Sequence, residues 1–416
     1  EACNGWGLFY PRSGIYDGPS SNTAALMVAS RFKSLSSEVM SNLLRSNEIR
    51  DVAEIVYVEK SDDSYENDLI EALASGNAPD LWLMSQDMVI NFKNKTFPIS
   101  FETFTERQFQ DTFIDESELF LSRPNNLILG MPFYIDPMVM YWNKDIFKNV
   151  GMVSAPETWD QVVLSSETLT NRNEAGGIVQ SGIALGEFKN IEHAKDIISA
   201  LILQSGNSIV DIDTLKVTLG ERGEVLNPAD SALRFYTEFA DFRKASYSWN
   251  KFLPNSKEMF INGNLAMYFG YASEISDIKG KNPHLDFDIS PLPQILDARV
   301  KSGFGKMRAI AISKSISSYE NGLSAIFALT SSGVLNNLSE ATLLPPVRKD
   351  LLSRKVSDPE MAIFYKAAIQ AKGWLDPGDK ETSLIFADMV RSINSGVKTI
   401  DRAINDASSQ LKGLIQ

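Results

Sequence analysis

Asp136 sits inside an apolar run, Met131-Pro-Phe-Tyr-Ile-Asp-Pro-Met-Val-Met-Tyr-Trp142, and is followed at once by Pro137. A carboxylate in such a run is costly unless it is paired or works on a ligand. Tyr134 has the same parity in a strand and faces the same side. Further groups of this kind fall just after predicted strands, which is where open α/β sheets place their ligands. Arg12, Tyr16 and Asp17 follow a strand at Trp6–Tyr10. Asp87 follows a strand at Leu81–Met84, after Ser85 and Gln86. Glu187 and Phe188 follow a strand at Ile183–Leu185. Carboxylates accept hydrogen bonds from hydroxyl groups, and aromatic rings offer flat faces for stacking. That combination suits a neutral polyhydroxy compound. An anionic ligand would need several basic side chains, and Arg12 is the only one at these positions.

Catalytic motifs are missing. Gly303-Phe-Gly-Lys-Met-Arg308 begins like a dinucleotide fingerprint, but Arg308 stands where the third glycine is needed and no strand-to-helix context surrounds it. There is no phosphate-binding Walker loop, no His-Glu-x-x-His and no Gly-x-Ser-x-Gly elbow. His193 and His284 are too few and too separated for a His-based metal site, and Cys3, the sole cysteine, allows no internal disulfide. Neither metal nor cofactor is expected. With 53 acidic residues some carboxylates fall close together in any fold, so a glycoside-cleaving pair stays open without a local motif to support it.

The elements that must position these groups follow a repeating plan. A helical stretch is predicted over Thr23–Leu44 and a strand over Ala53–Val58. A helix with Tyr65, Leu69 and Leu73 on one face is closed by Gly76, and the strand Leu81–Met84 comes next. Strand, helix, strand implies a parallel sheet. Later come a short helix Lys144–Val150 stopped by Gly151, and a helix capped by Thr158 with Gln161 at capping-box spacing. Helices are also predicted over Glu192–Gln204 and from Asn227-Pro228 onward, with strands at Leu265–Phe269 and Ala309–Ile312. The terminal stripe Val397, Ile400, Ile404, Ala407 and Leu411 reads as core packing.

A chain of 416 residues suits two domains with separate cores. The net charge of −13, from 40 basic and 53 acidic residues, argues against nucleic acid as the partner. No apolar run reaches the length of a membrane span. No secretory leader is present, so the chain reads as mature or trimmed. Cys3 follows Ala2 as a lipidated cysteine would, although Glu1-Ala2 still precede it.

The order of devices from Leu129 to Leu164 resembles the segment where family 1 extracellular solute-binding proteins cross from their first lobe into their second. Four further segments are similar to the same family: Tyr65 to Trp82; Phe260-Ile-Asn-Gly-Asn-Leu-Ala-Met267 through Gly270; Pro291-Leu-Pro with Gly303 to Ser313; and Lys372-Gly-Trp374 with the terminal helices around Ser395-Gly396. Together they cover roughly residues 55 to 416. The first 50 residues fit less well, with a longer loop and helical stretch than the family has.

The resemblance implies a type II periplasmic-binding-protein-like α/β fold with a ligand cleft between two lobes. It divides the chain into an N-terminal lobe, 1–135 plus 306–331, and a C-terminal lobe, 136–305 plus 332–416. It implies a non-enzymatic, extracytoplasmic and monomeric receptor, possessing a membrane anchor if Cys3 is lipidated. Such a receptor closes on a sugar or oligosaccharide and delivers it to the transmembrane subunits of an ABC permease. Asp87 and Asp136 match acidic ligand contacts, and Glu187 and Phe188 fall near an acid and an aromatic contact. Tyr271 replaces a usual tryptophan, Phe304 lies in the return crossing, and Met84 stands where an aromatic residue is common. Trp142 and Phe386 read as core. An adhesin or sensor on the same scaffold, or a glycan-active enzyme, are the alternatives.

Overall fold

The computed structural model describes residues 23–29, 37–52, 54–60, 64–221 and 227–415, with the backbone alone at 23–29, Ser37 and Glu54. Strand β1 (Thr23–Ala29) lies parallel between β2 (Glu54–Lys60) and β3 (Leu81–Ser85). Helix α1 (Tyr65–Ala74) carries the chain from β2 to β3 and buries Tyr65 and Leu69, as the sequence periodicity predicts. The Tyr65 hydroxyl donates to the Leu83 carbonyl at 2.7 Å, tying helix to strand.

The helix expected over Thr23–Leu44 is corrected here. Residues 23–29 form β1, and among the described residues of that stretch only Ser37–Leu44 is helical. Pairing on both sides outweighs the mixed local propensity of Thr-Ala-Ala-Leu-Met-Val-Ala. The strand expected at Trp6–Tyr10 lies outside the described residues.

The apolar run around Asp136 becomes β4 (Met131–Asn143), and all 13 of its residues are buried. After it come an edge pair β5 (Asn171–Arg172) and β6 (Ile178–Ile183), then β7 (Leu265–Tyr271), β8 (Phe287–Pro291) and β9 (Gly305–Ile312). The sheet path is β2-β1-β3-β9-β4-β7-β6-β5, with β8 also paired to β4. Partners change in the middle of β4. Met131 to Pro137 pair with β9, whereas Met138 to Asn143 pair with β7 and β8. Pro137 has no N–H to give a ladder, so it fits the point where one ladder ends and the next begins. The sequence break at Asp136-Pro137 is therefore a real switch in the sheet.

The predicted caps form as expected. Thr158 and Gln161 make a reciprocal capping box on helix α2 (Trp159–Leu169), and Gly151 takes a left-handed φ of 77°. Asn227 caps helix Pro228–Glu238 by accepting from the Ala229 amide. In the terminal stripe Ile404, Ala407 and Leu411 are buried in helix Ile400–Ile415, but Val397 precedes that helix and is 74% exposed. Met84, Trp142 and Phe386 are buried, the last stacked on Trp374 at 6.1 Å.

Candidate functional site

A cavity of about 930 Å³ opens where β4 changes partners. Asp136 lines it from β4, Lys306 from β9 and Tyr271 from the end of β7. Lys306 and Asp136 are direct register partners on adjacent strands. Helix α3 (Ala194–Gln204) begins at the wall, and His193, Lys195 and Asp196 at its start face the same space. Ser273 and Glu274, just after β7, close one side, with Lys257 beside them.

Asp136 is 1% exposed, and its Oδ1 accepts the Ser273 amide at 3.0 Å. Burial pushes its carboxyl up to about 6, with the Ser273 hydrogen bond working the other way. No cation is bonded to it among the described residues. The other acids of the wall are tightly held. Asp196 Oδ2 accepts from the Tyr271 hydroxyl at 2.9 Å and from Lys306 Nζ at 2.9 Å. Burial acts to raise the Asp196 carboxyl, but Lys306, Lys195 and His193 outweigh it and hold it below the usual range. Glu274 Oε1 meets His193 Nε2 at 2.7 Å and accepts the Tyr271 amide at 2.8 Å, while Oε2 accepts from Lys257 Nζ and the Tyr268 hydroxyl, each at 2.8 Å. Lys195 is clamped by Asp376 Oδ2 and Asp379 Oδ1, both at 2.6 Å.

Chemically this is a charge-compensated wall. Six acids face four lysines and His193, and the buried lysines are used to hold acids. Fixed ionic groups of both signs offer strong, pre-oriented donors and acceptors, the requirement for binding hydroxyl groups in place of water.

Three of the predicted site residues line this cavity: Asp136, Phe188 and Tyr271. Tyr271 departs from a stacking role. It is 4% exposed, Lys306 Nζ lies 5.1 Å from its ring centroid, and His193 packs edge-on at 4.7 Å. Asp87 and Phe304 line a smaller space next door, of about 20 Å³, shared with Lys195, Asp196, Lys306 and Arg308. Phe304 is 1% exposed, so its ring is core. Tyr134 lies outside both spaces, buried beside the Arg308 guanidinium. Glu187 also lies outside both, its backbone carbonyl taken by the Tyr236 hydroxyl at 2.6 Å. Arg12, Tyr16 and Asp17 fall outside the described residues.

The expectation that Arg12 is the only basic candidate is corrected by Lys189, Lys195, Lys257 and Lys306 in the wall. Most of them come from helix starts and turns, where no strand-end rule points. Lys306 had a usable signal: it is a charge in the run Gly-Lys-Met-Arg-Ala-Ile-Ala-Ile, the same anomaly that marks Asp136. A separate cavity of about 410 Å³, lined by Trp142, Pro156, Ser290 and Lys366 among others, shares no residue with the first.

A two-lobed α/β binding fold with its cavity at the switch between half-sheets defines a class of receptor. Residues 47–363 match the family described as bacterial extracellular solute-binding protein, and the chain belongs to that family. It is 20% identical over 352 residues to a binding protein of Brucella abortus (strain 2308), covering 83% of this chain and 81% of that one. Among solved structures, the cyclic alpha-maltosyl-1,6-maltose binding protein from Arthrobacter globiformis matches with a TM-score of 0.76 at 11% identity, over 95% of this chain and 99% of that one. An ABC transporter solute-binding protein from Thermotoga lettingae, bound with alpha-D-tagatose, matches at 0.67 and 19% identity, over 95% and 100%. These likenesses establish the two-lobed α/β fold. Among the described residues no helix is long and apolar enough to cross a membrane.

Proposed function

We propose that this chain captures a carbohydrate in the 930 Å³ cavity and delivers it to the transmembrane subunits of an ABC permease. The supporting observation is the wall itself: Asp136, buried and without a bonded cation among the described residues, stands beside acids and lysines already fixed in pairs. A neutral ligand rich in hydroxyl groups satisfies such a wall without stranding a charge. The sugar-bound relatives support the same reading.

The lobes in this reading are 1–135 plus 306–331 and 136–305 plus 332–416, with the crossings at Asp136-Pro137 and between β8 and β9 as the hinge. Closure about such a hinge traps the ligand. Asp136, Phe188 and Tyr271, joined by His193, Asp196 and Lys306, form the binding wall, with Asp87 at its edge. The protein acts as a non-catalytic monomer outside the cytoplasm, where Cys3 is the candidate for a lipid anchor.

Isothermal titration of the full chain against a panel of sugars, oligosaccharides, polyols and amino acids tests this. Saturable one-to-one heats with a sugar are expected. Binding of amino acids with no response to any sugar would overturn the ligand class. Product formation from a bound glycan would overturn the non-catalytic reading.

A further inference from the structure

His193 stands at the start of α3, on the cavity wall. It has a left-handed backbone, φ 58°, at the N-cap of α3, and it makes no side-chain cap bond there. For a residue other than glycine that conformation costs about 1 kcal/mol or more and points to a constraint elsewhere. The constraint is visible. Nε2 is fixed on Glu274 Oε1 at 2.7 Å and the ring packs edge-on against Tyr271. Glu274 is a carboxylate, held ionised by His193 and Lys257 against the effect of burial. It can only accept, so Nε2 must carry the hydrogen. That fixes the tautomer. In the neutral ring Nδ1 is an acceptor, and in the protonated ring it is a donor with a positive charge. Nδ1 has no hydrogen-bond partner among the described residues, and the ring, its side chain 20% exposed, lines the cavity.

The charged groups around the ring come from every neighbouring element. Glu274 follows β7, and Lys257 reaches Glu274 from its far side. Asp196 lies on the ring's own helix, Lys306 on β9 and Asp136 on β4. Burial alone would lower the imidazole pKa, but the charge and hydrogen bond of Glu274 outweigh burial and Lys306, so it lies above its ordinary value. Asp136, with its carboxyl pushed up to about 6 by burial, also takes up a proton on acidification. Acidification therefore adds a positive charge at His193 and removes a negative one at Asp136, both in the same wall.

We propose that His193 is a proton-gated specificity-determining contact, whose Nδ1 accepts from a sugar hydroxyl when neutral and donates to a sugar carboxylate when protonated. The cleft then prefers a uronate-bearing oligosaccharide over its neutral counterpart at low pH, and loses that preference at high pH. The ligand half of this inference rests on the carbohydrate reading, whereas the tautomer does not.

Two measurements on the full chain separate the parts. Imidazole ¹⁵N NMR is tractable with His193 and His284 as the only histidines, and it should show His193 protonated at Nε2 in its neutral form. A neutral ring carrying its hydrogen on Nδ1 would overturn the proposal whatever binds. Titration calorimetry with neutral oligosaccharides, each paired with its uronate-bearing counterpart, should show the uronate-to-neutral affinity ratio rising about tenfold from about pH 8.5 to about pH 5.5, a span that brackets a histidine titration. His193→Asn tolerates the left-handed backbone but cannot titrate, so the rise should shrink to threefold or less. An unchanged ratio in the wild type, or the full rise retained in H193N, would overturn the proposal. If no sugar binds at any pH, the carbohydrate reading falls and takes the ligand half with it, while the NMR result still decides the tautomer.

Discussion

Lys195 is the strongest single test of how the cavity wall is held. Its side chain is 7% exposed, and its ammonium lies 2.6 Å from the carboxylates of both Asp376, 6% exposed, and Asp379, 29% exposed. It also donates to the Thr382 hydroxyl at 3.1 Å. Lys195→Met keeps the length of the side chain and removes the charge. Asp376 would keep its bonds from the Gly378 amide and the Thr382 hydroxyl but lose the only cation it pairs with among the described residues. Removing one partner of a buried pair typically costs about 3–5 kcal/mol, because the other charge stays buried and uncompensated. Asp379 is partly solvated and adds less, so the lower end, about 3 kcal/mol, is expected. Burial already raises the Asp376 carboxyl, with Lys195 holding it back, so without Lys195 it rises further. A carboxyl with a raised folded pKa is most stabilising when protonated, and that contribution is lost as pH climbs through the folded pKa. The deficit of K195M relative to wild type should therefore be largest near pH 7 and narrow as pH falls toward 4, the range of an unfolded carboxylate. Urea unfolding across that pH range measures it. The double variant Lys195→Met with Asp376→Asn should recover at least half of the loss. A K195M variant within about 1 kcal/mol of wild type at pH 7, or a double variant no better than the single, would refute the reasoning.

Asp136→Asn keeps the acceptor for the Ser273 amide and removes a carboxyl pushed up to about 6 by burial. It should stabilise the unliganded protein by an amount on the order of 3 kcal/mol at pH 7 and by nothing below about pH 4, while weakening ligand binding, as denaturation and calorimetry would show. Glu116 is 2% exposed, and burial raises its carboxyl to about 8, with Lys372 and the Gly373 backbone working the other way. Glu116→Gln should therefore also gain on the order of 3 kcal/mol at pH 7, a gain that vanishes in acid; equal stability at pH 7 would count against a carboxyl raised by burial. Gly182→Ala places a Cβ within 2.6 Å of the Ser166 carbonyl oxygen, a backbone contact that cannot swing away. A loss of about 1–3 kcal/mol in urea unfolding is expected.

Much of this fold is written in local patterns. The caps at Thr158 and Asn227 and the stop at Gly151 stand where spacing places them, and the sheet changes partners at Asp136-Pro137, where the family resemblance implies a crossing. The first strand does not, because β1 is created by partners far along the chain and its own seven residues carry no decisive period. The site divides the same way. Asp136 announces itself as a charge in an apolar strand. His193, Lys257 and Glu274 do not, since they stand at a helix cap, on a short helix and on a turn, and only the tertiary fold brings them around Tyr271. Tyr134 shares parity with Asp136, but parity gives a face and not a depth, and the Arg308 guanidinium occupies the space beside it.

The most direct measurement is the crystal structure of the complex with the sugar that gives the largest heat. It should show one sugar in the cavity at the Asp136-Pro137 switch, a hydroxyl bonded to the second oxygen of Asp136, and His193 Nδ1 and Lys306 within hydrogen-bonding reach of the ligand. A sugar seated instead in the separate space beside Trp142, with the Asp136 wall untouched, would contradict the assignment of the site.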